Sequence, residues 1–96
     1  MNDYELVLIL SPEVEPESLD ATIDNLVTKY VTGGGGTISD VERWGKKRLA
    51  YPIKHFAEGI YVLARFKLKP ALSKELEANL RINEQVLRHL LVKAGS

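Results

Sequence analysis

Between Gly59 and Leu68 the chain alternates more strictly than anywhere else: Ile60, Val62, Ala64, Phe66 and Leu68 stand at every second position, with Tyr61, Leu63, Arg65 and Lys67 between them. A β-strand sends successive side chains to opposite faces, so this period of two predicts a strand with one wholly apolar face. Its other face is mixed. Any fold that accepts this strand must bury the first face under something apolar and leave the second for water or a partner.

The cover is written elsewhere in the chain. Leu19, Ile23, Leu26, Val27 and Tyr30 recur at helical spacing and predict a helix from about Pro16 to Val31. Pro16 suits its first turn, Glu15, Glu17 and Asp20 complement its dipole, and Gly33 to Gly36 end it. A second helix starts at Pro70, shares Leu72, Leu76 and Leu80 on one face, and ends near Arg81 or Ile82. Three more strands are expected: Asp3 to Leu10; Thr37 to about Ile53, with a bulge or bend at Gly45 and an edge or end position at Pro52; and Val86 to Lys93. The strand with the clearest alternation is expected to open at Gly59.

Strand, helix, strand, strand, helix, strand is the order of the α+β ferredoxin-like split βαβ architecture, a four-stranded antiparallel sheet with two helices on one face. With 96 residues, the chain has room for one core, so a single domain over 1–96 is expected. The open sheet face should then carry Val7, Ile9, Tyr61, Leu63, Arg65 and Lys67, joined by Arg88, Leu90 and Val92. Apolar and basic groups mixed on one surface suit docking.

Several kinds of chemistry find no residues here. The absence of cysteine removes disulfides, thiolate metal sites and cysteine nucleophiles. His55 and His89 stand far apart without a carboxylate or cysteine at ligand spacing, so neither a metal nor another cofactor is expected. The four glycines follow a helix instead of preceding one, and no GK[ST] comes after them, which reads as a turn and not a phosphate loop. Ser11, Ser18, Ser39 and Ser73 sit in no nucleophile motif, and the clustered carboxylates are explained by a helix start. Acylphosphatases share the architecture but bind phosphate with an arginine-bearing loop after the first strand, where this chain has the acidic SPEVEPES. No enzyme is expected. No apolar run approaches the roughly 18 residues of a membrane span, and MNDYELVLIL has no signal-peptide character, so the expected location is cytoplasmic with no membrane contact.

One stretch asks for a polyanion. WGKKRLAYPI, residues 44–53, sets Lys46, Lys47 and Arg48 between Trp44 and Tyr51. The formal net charge is zero, yet residues 1–42 hold nine acidic groups and one basic, and residues 43–96 hold twelve basic and four acidic. Lysine and arginine bind phosphate through charge and forked hydrogen bonds, and aromatic rings stack on unpaired bases. With Arg43, Lys54, His55, Arg65 and Lys67, the run makes a candidate RNA-facing rim. The plainer reading is a solvated strand edge whose lysines discourage aggregation. Single-strand reading on the sheet, as in RNA-recognition motifs, is disfavoured because Tyr61 and Phe66 fall on opposite faces.

YELVLIL, WGKKRLAYPI, EGIYVLARF and LRINEQVLRHLLVK together resemble the bacterial small-subunit ribosomal protein six family over nearly the whole chain. The resemblance implies a structural protein of the ribosome with the ferredoxin-like fold, not an enzyme. It also implies binding to the central domain of 16S ribosomal RNA jointly with small-subunit ribosomal protein eighteen. Carried onto this sequence, it places RNA contacts at Lys46, Lys47, Arg48 and Tyr51, with Arg88 in the last strand. Lys54, Arg65 and Lys67 extend that rim on the residue-level reading. Val7, Ile9, Leu63, Leu90 and Val92 are the candidates for packing against the protein partner, or simply for a partly exposed sheet.

Relatives can carry paired arginines where this chain has Leu87 before Arg88, and Met1-Asn2-Asp3 has no basic side chain. With a formal charge of zero, that implies weak RNA affinity for the isolated chain, expected to be a monomer. The expectation is an architectural part completed by its partner. The alternative is a small-molecule-sensing ferredoxin-like regulatory domain, which would act as a homodimer through the same open face.

Overall fold

The structure, a computed structural model, describes residues 1–94. Four strands form one sheet: β1 (Asn2–Leu10), β2 (Thr37–Ile53), β3 (Phe56–Leu68) and β4 (Val86–Ala94). Their order is β2-β3-β1-β4, and every neighbouring pair is antiparallel. β1 and β3, the two most apolar strands, take the central places. The expected ferredoxin-like arrangement is the one observed.

One face of the sheet carries the main core. Leu6, Leu8 and Leu10 of β1 and Val62, Phe66 and Leu68 of β3 meet Ile23, Val27 and Val31 of the first helix and Leu76 and Leu80 of the second. Each such leucine, fully buried, contributes about 1.5–3 kcal/mol relative to exposure. This core sets the register of the whole sheet, because a one-residue slip would turn the apolar set outward.

The first helix is a continuous helical run of changing pitch. It opens as a 3-10 turn over Pro16–Ser18, is α-helical over Leu19–Ile23, widens to a π turn over Asp24–Thr28, and is α-helical again over Lys29–Gly33. Ile23, Val27 and Val31 are spaced by four, which overshoots an ideal turn by about 40° at each step. The wider π turn takes up part of that overshoot and keeps all three on the core side. The run passes Val31 and reaches Gly33, where Gly35 adopts a left-handed backbone (φ 82°). Gly35 N–H donates to the Thr32 carbonyl and Gly36 N–H to the Val31 carbonyl, which closes the helix end. A side chain at Gly36 would collide with the Lys67 carbonyl of β3, so only glycine lets the chain turn there.

The second helix spans Pro70–Ile82. Ser73 Oγ donates to the Pro70 carbonyl, and beyond the helix the Asn83 side chain accepts from the Gln85 N–H, turning the chain into β4.

Two features differ from the sequence reading. β3 opens at Phe56 and not at Gly59, because the β2–β3 hairpin closes with the two-residue turn Lys54-His55. Both have left-handed backbones (φ 49° and 72°). Such turns usually announce themselves as Asn-Gly, and this one does not. The second difference is the open sheet face, which is partly covered. Between Arg48 and Ile53 the β2 pairing with β3 lapses, and Leu49, on the open face, packs with Ile9 and Leu87. Ile53, Phe56 and Tyr61 surround this second cluster. Ile9, expected on an uncovered face, is therefore 8% exposed, and Leu63, expected there too, is 5% exposed.

Candidate nucleic-acid interface

Sheet register organises the open face into rows. Asp40, Arg65, Glu5 and Val92 form one; Glu42, Leu63, Val7 and Leu90 the next; Gly45, Tyr61, Ile9 and Arg88 the third. The first is acidic, the second mostly apolar, and beyond the third lie the cations of the hairpin end. The opposed charges of the two sequence halves thus meet on one surface.

Arg65 belongs to the acidic end. Its guanidinium donates to Glu42 at 2.7 Å and Asp40 at 3.2 Å, and Glu5 stands at 3.8 Å. The hydrogen bond to Glu42 raises its pKa above the ordinary arginine value. Its charge is already answered by three carboxylates, which leaves little for a phosphate. Arg43 is tied in the same way to Asp20 of the first helix.

At the other end, Gly45 decides the geometry. Its left-handed backbone (φ 83°) makes a β-bulge between Arg43 and Gly45, with Trp44 as the extra residue. Beyond the bulge the basic run is divided between two faces. Lys47 lies on the open face, where its ammonium sits 5.3 Å from the Trp44 ring centre and 5.9 Å from that of Tyr61. Lys46 pairs with core-facing Ile60 and lines a groove with Pro12, Glu15 and Pro16. Arg48 stands opposite Glu58. All three are exposed.

The remaining hairpin cations are held in place without being neutralised. Arg88 donates to the Tyr51 hydroxyl at 3.1 Å, and the Lys54 ammonium donates to the Val86 carbonyl at 3.2 Å. Among the described residues, none of Lys46, Lys47, Arg48, Lys54 and Arg88 lies within salt-bridge distance of a carboxylate. Tyr51 and Trp44 are 59% and 44% exposed. Lys67 is exposed at the acidic end, opposite Asp3 and Thr37, away from the hairpin cluster.

The five residues considered for protein packing divide by exposure. Leu90 and Val92 are about half exposed and Val7 half-buried, whereas Ile9 and Leu63 are closed off. Arg81 is the residue that pattern reading passed over: it stands in the last turn of the second helix and shares a recess with Lys54 and Arg88. A basic residue in a terminal turn reads first as a dipole complement, so only the tertiary fold singles it out. Among the described residues, no cluster of three metal-ligating side chains forms and no helix is long and apolar enough to cross a membrane.

A family model described as Ribosomal protein S6 matches residues 3–93. The small ribosomal subunit protein bS6 of Moorella thermoacetica is 40% identical over 93 residues, covering 97% of this chain and 94% of that one. Its counterpart from Clostridioides difficile is 44% identical over 94 residues, covering 98% and 100%. Among solved structures, the 30S ribosomal protein S6 from Thermotoga maritima superposes with a TM-score of 0.87 at 29% identity, covering 96% of this chain and 86% of that one. The C-terminal domain of MgtC from Mycobacterium tuberculosis has a TM-score of 0.67 at 13% identity, covering 98% and 88%, a likeness of fold alone.

Proposed function

The chain belongs to the ribosomal protein S6 family of the small ribosomal subunit, and we propose that it binds central-domain 16S ribosomal RNA together with small-subunit ribosomal protein eighteen. The observation that carries this reading is the hairpin end of the sheet. Lys46, Lys47, Arg48, Lys54 and Arg88 gather there beside Tyr51 with no carboxylate partner among the described residues, while the acidic residues of the open face are spent on Arg65. Unanswered cations on two faces of one hairpin fit RNA backbone that passes around it, and phosphate neutralisation is the main source of such affinity.

In this proposal RNA is contacted by Lys46, Lys47, Arg48, Tyr51, Lys54 and Arg88. Lys67 is a peripheral contact, and Arg65 holds the sheet. The apolar row and the β4 edge, at Val7, Leu90 and Val92, receive the protein partner, with Ile9 and Leu63 forming the floor beneath. Isolated, the chain is a monomeric single domain with weak RNA affinity. Each component completes the surface the other needs, and by linkage the gain in affinity is mutual. The role is structural, in the cytoplasmic ribosome, and no catalysis is proposed. The homodimeric sensor draws no support from the family.

Reconstitution of the small-subunit central domain tests the assignment. With Lys46→Ala, Lys47→Ala and Arg48→Ala combined, incorporation should weaken and lose part of its salt dependence. Unchanged incorporation with an unchanged salt response would contradict it.

A further inference from the structure

Three elements distant in sequence bring cations to one recess of about 280 Å³ at the hairpin end. Lys54 comes from the β2–β3 turn, Arg81 from the last turn of the second helix, and Arg88 from the start of β4; Leu80, Val86 and Leu87 supply the apolar floor. Among the described residues, no carboxylate lines it. His89, at its rim, directs its imidazole to Glu77 at 3.5 Å, and the nearby Glu84 lines a neighbouring recess with Ser11 and Phe56.

Two of the three cations are held by hydrogen bonds, and Arg81 is placed by its helix. Lys54 donates to the Val86 carbonyl and Arg88 to Tyr51. Lys54 and its neighbour His55 hold left-handed backbones that glycine or asparagine would adopt at lower cost. Such local strain persists where surrounding structure enforces it, and it gathers at binding sites. Lysine and arginine both stay charged at neutral pH, so three of them around one recess repel one another unless an anion enters.

We propose that this recess seats a backbone phosphate of the bound RNA, with Arg81 as the cation that closes it from the helix side. This rests on the RNA reading above and adds a second anchoring point, separate from the groove that Lys46 lines. A phosphate so placed accepts from Arg81 and Arg88 through forked hydrogen bonds and from Lys54 as a point charge. The apolar floor admits the adjoining sugar.

The test uses the full chain with its protein partner and a central-domain RNA fragment, titrated with salt. Arg81→Gln, Arg81→Lys and Lys46→Gln are compared with the unaltered protein, and thermal unfolding checks that each variant folds. Arg81→Gln should weaken binding about tenfold, the loss expected for one charged hydrogen-bonded contact. It should also flatten the salt slope by about 0.7–0.9, while Arg81→Lys keeps the slope. If Lys46→Gln weakens binding and Arg81→Gln leaves both affinity and slope unaltered, the recess proposal is overturned and the RNA reading stands. No RNA binding by the unaltered proteins would overturn both. A parallel titration with inorganic phosphate separates the anion's source. Shifts of the Arg81 and Arg88 guanidinium resonances with phosphate, alongside RNA binding indifferent to Arg81→Gln, would mean a free-anion site and overturn the RNA assignment.

Discussion

The Arg88 guanidinium donates to the Tyr51 hydroxyl at 3.1 Å, and this bond joins the two edge strands of the sheet, β2 and β4, which are not neighbours. It is reached because β2 leaves its pairing with β3 after Arg48 and crosses the open face, Leu49 packing with Ile9 and Leu87 underneath. Tyr51→Phe removes the acceptor and frees Arg88. The pair is exposed, so folding stability should change by no more than about 1 kcal/mol. RNA affinity in the presence of the protein partner should fall several-fold, read by fluorescence anisotropy.

Leu49 and Leu90 share the open side of the sheet and should behave oppositely. Leu49→Ala opens a cavity in a small buried cluster and should cost about 2–5 kcal/mol of stability, visible in urea denaturation. Leu90 is 52% exposed, so Leu90→Ser should stay within about 0.5 kcal/mol. It should nonetheless weaken association with the protein partner in a pull-down or calorimetric titration.

Arg65 and Lys47 are both cations on the same face, but only one is available. Arg65→Gln should leave the salt slope of RNA binding unaltered, because Glu42, Asp40 and Glu5 already answer its charge. Lys47→Gln should flatten that slope by about 0.7–0.9. Equal flattening by the two variants would show that Arg65 leaves its carboxylates on binding.

Alkaline pH acts through Tyr30. Burial first, then its 2.8 Å hydrogen bond to Glu75 and that carboxylate's charge, raise the hydroxyl from the ordinary 10.0 to about 12. The folded-state value lies above the unfolded one, so this contribution is fully present below pH 10.0 and is lost as pH rises towards about 12. In Tyr30→Phe the fall in melting temperature across that window should be shallower.

Much of the architecture could be read from the sequence because its signals were redundant. The alternation through Ile60, Val62 and Phe66 and the helical stripes, Ile23 and Val27 on the first helix and Leu76 and Leu80 on the second, each demand the other, and Gly45 marked its own bulge. The Lys54-His55 turn could not be read, since neither residue favours a left-handed backbone on its own and the surrounding pairing imposes it. Leu49 reads as one more strand residue; only the bulge at Gly45, which sets the phase of the strand beyond it, shows that it shares the open face with Lys47 and reaches Ile9. The candidate site was legible as a composition, WGKKRLAYPI, but not as a geometry. A strand's period of two, reset by the bulge, sends Lys46 and Lys47 to opposite faces, and Arg81 joins the cluster only through tertiary packing.

The most direct measurement of the account is a salt-titrated binding assay on a central-domain ribosomal RNA fragment, with this protein alone, small-subunit ribosomal protein eighteen alone, and both together. The account predicts weak binding by either one and tight, salt-sensitive binding by the pair. Equal affinity for this protein with and without the other, or no binding by any combination, would contradict it.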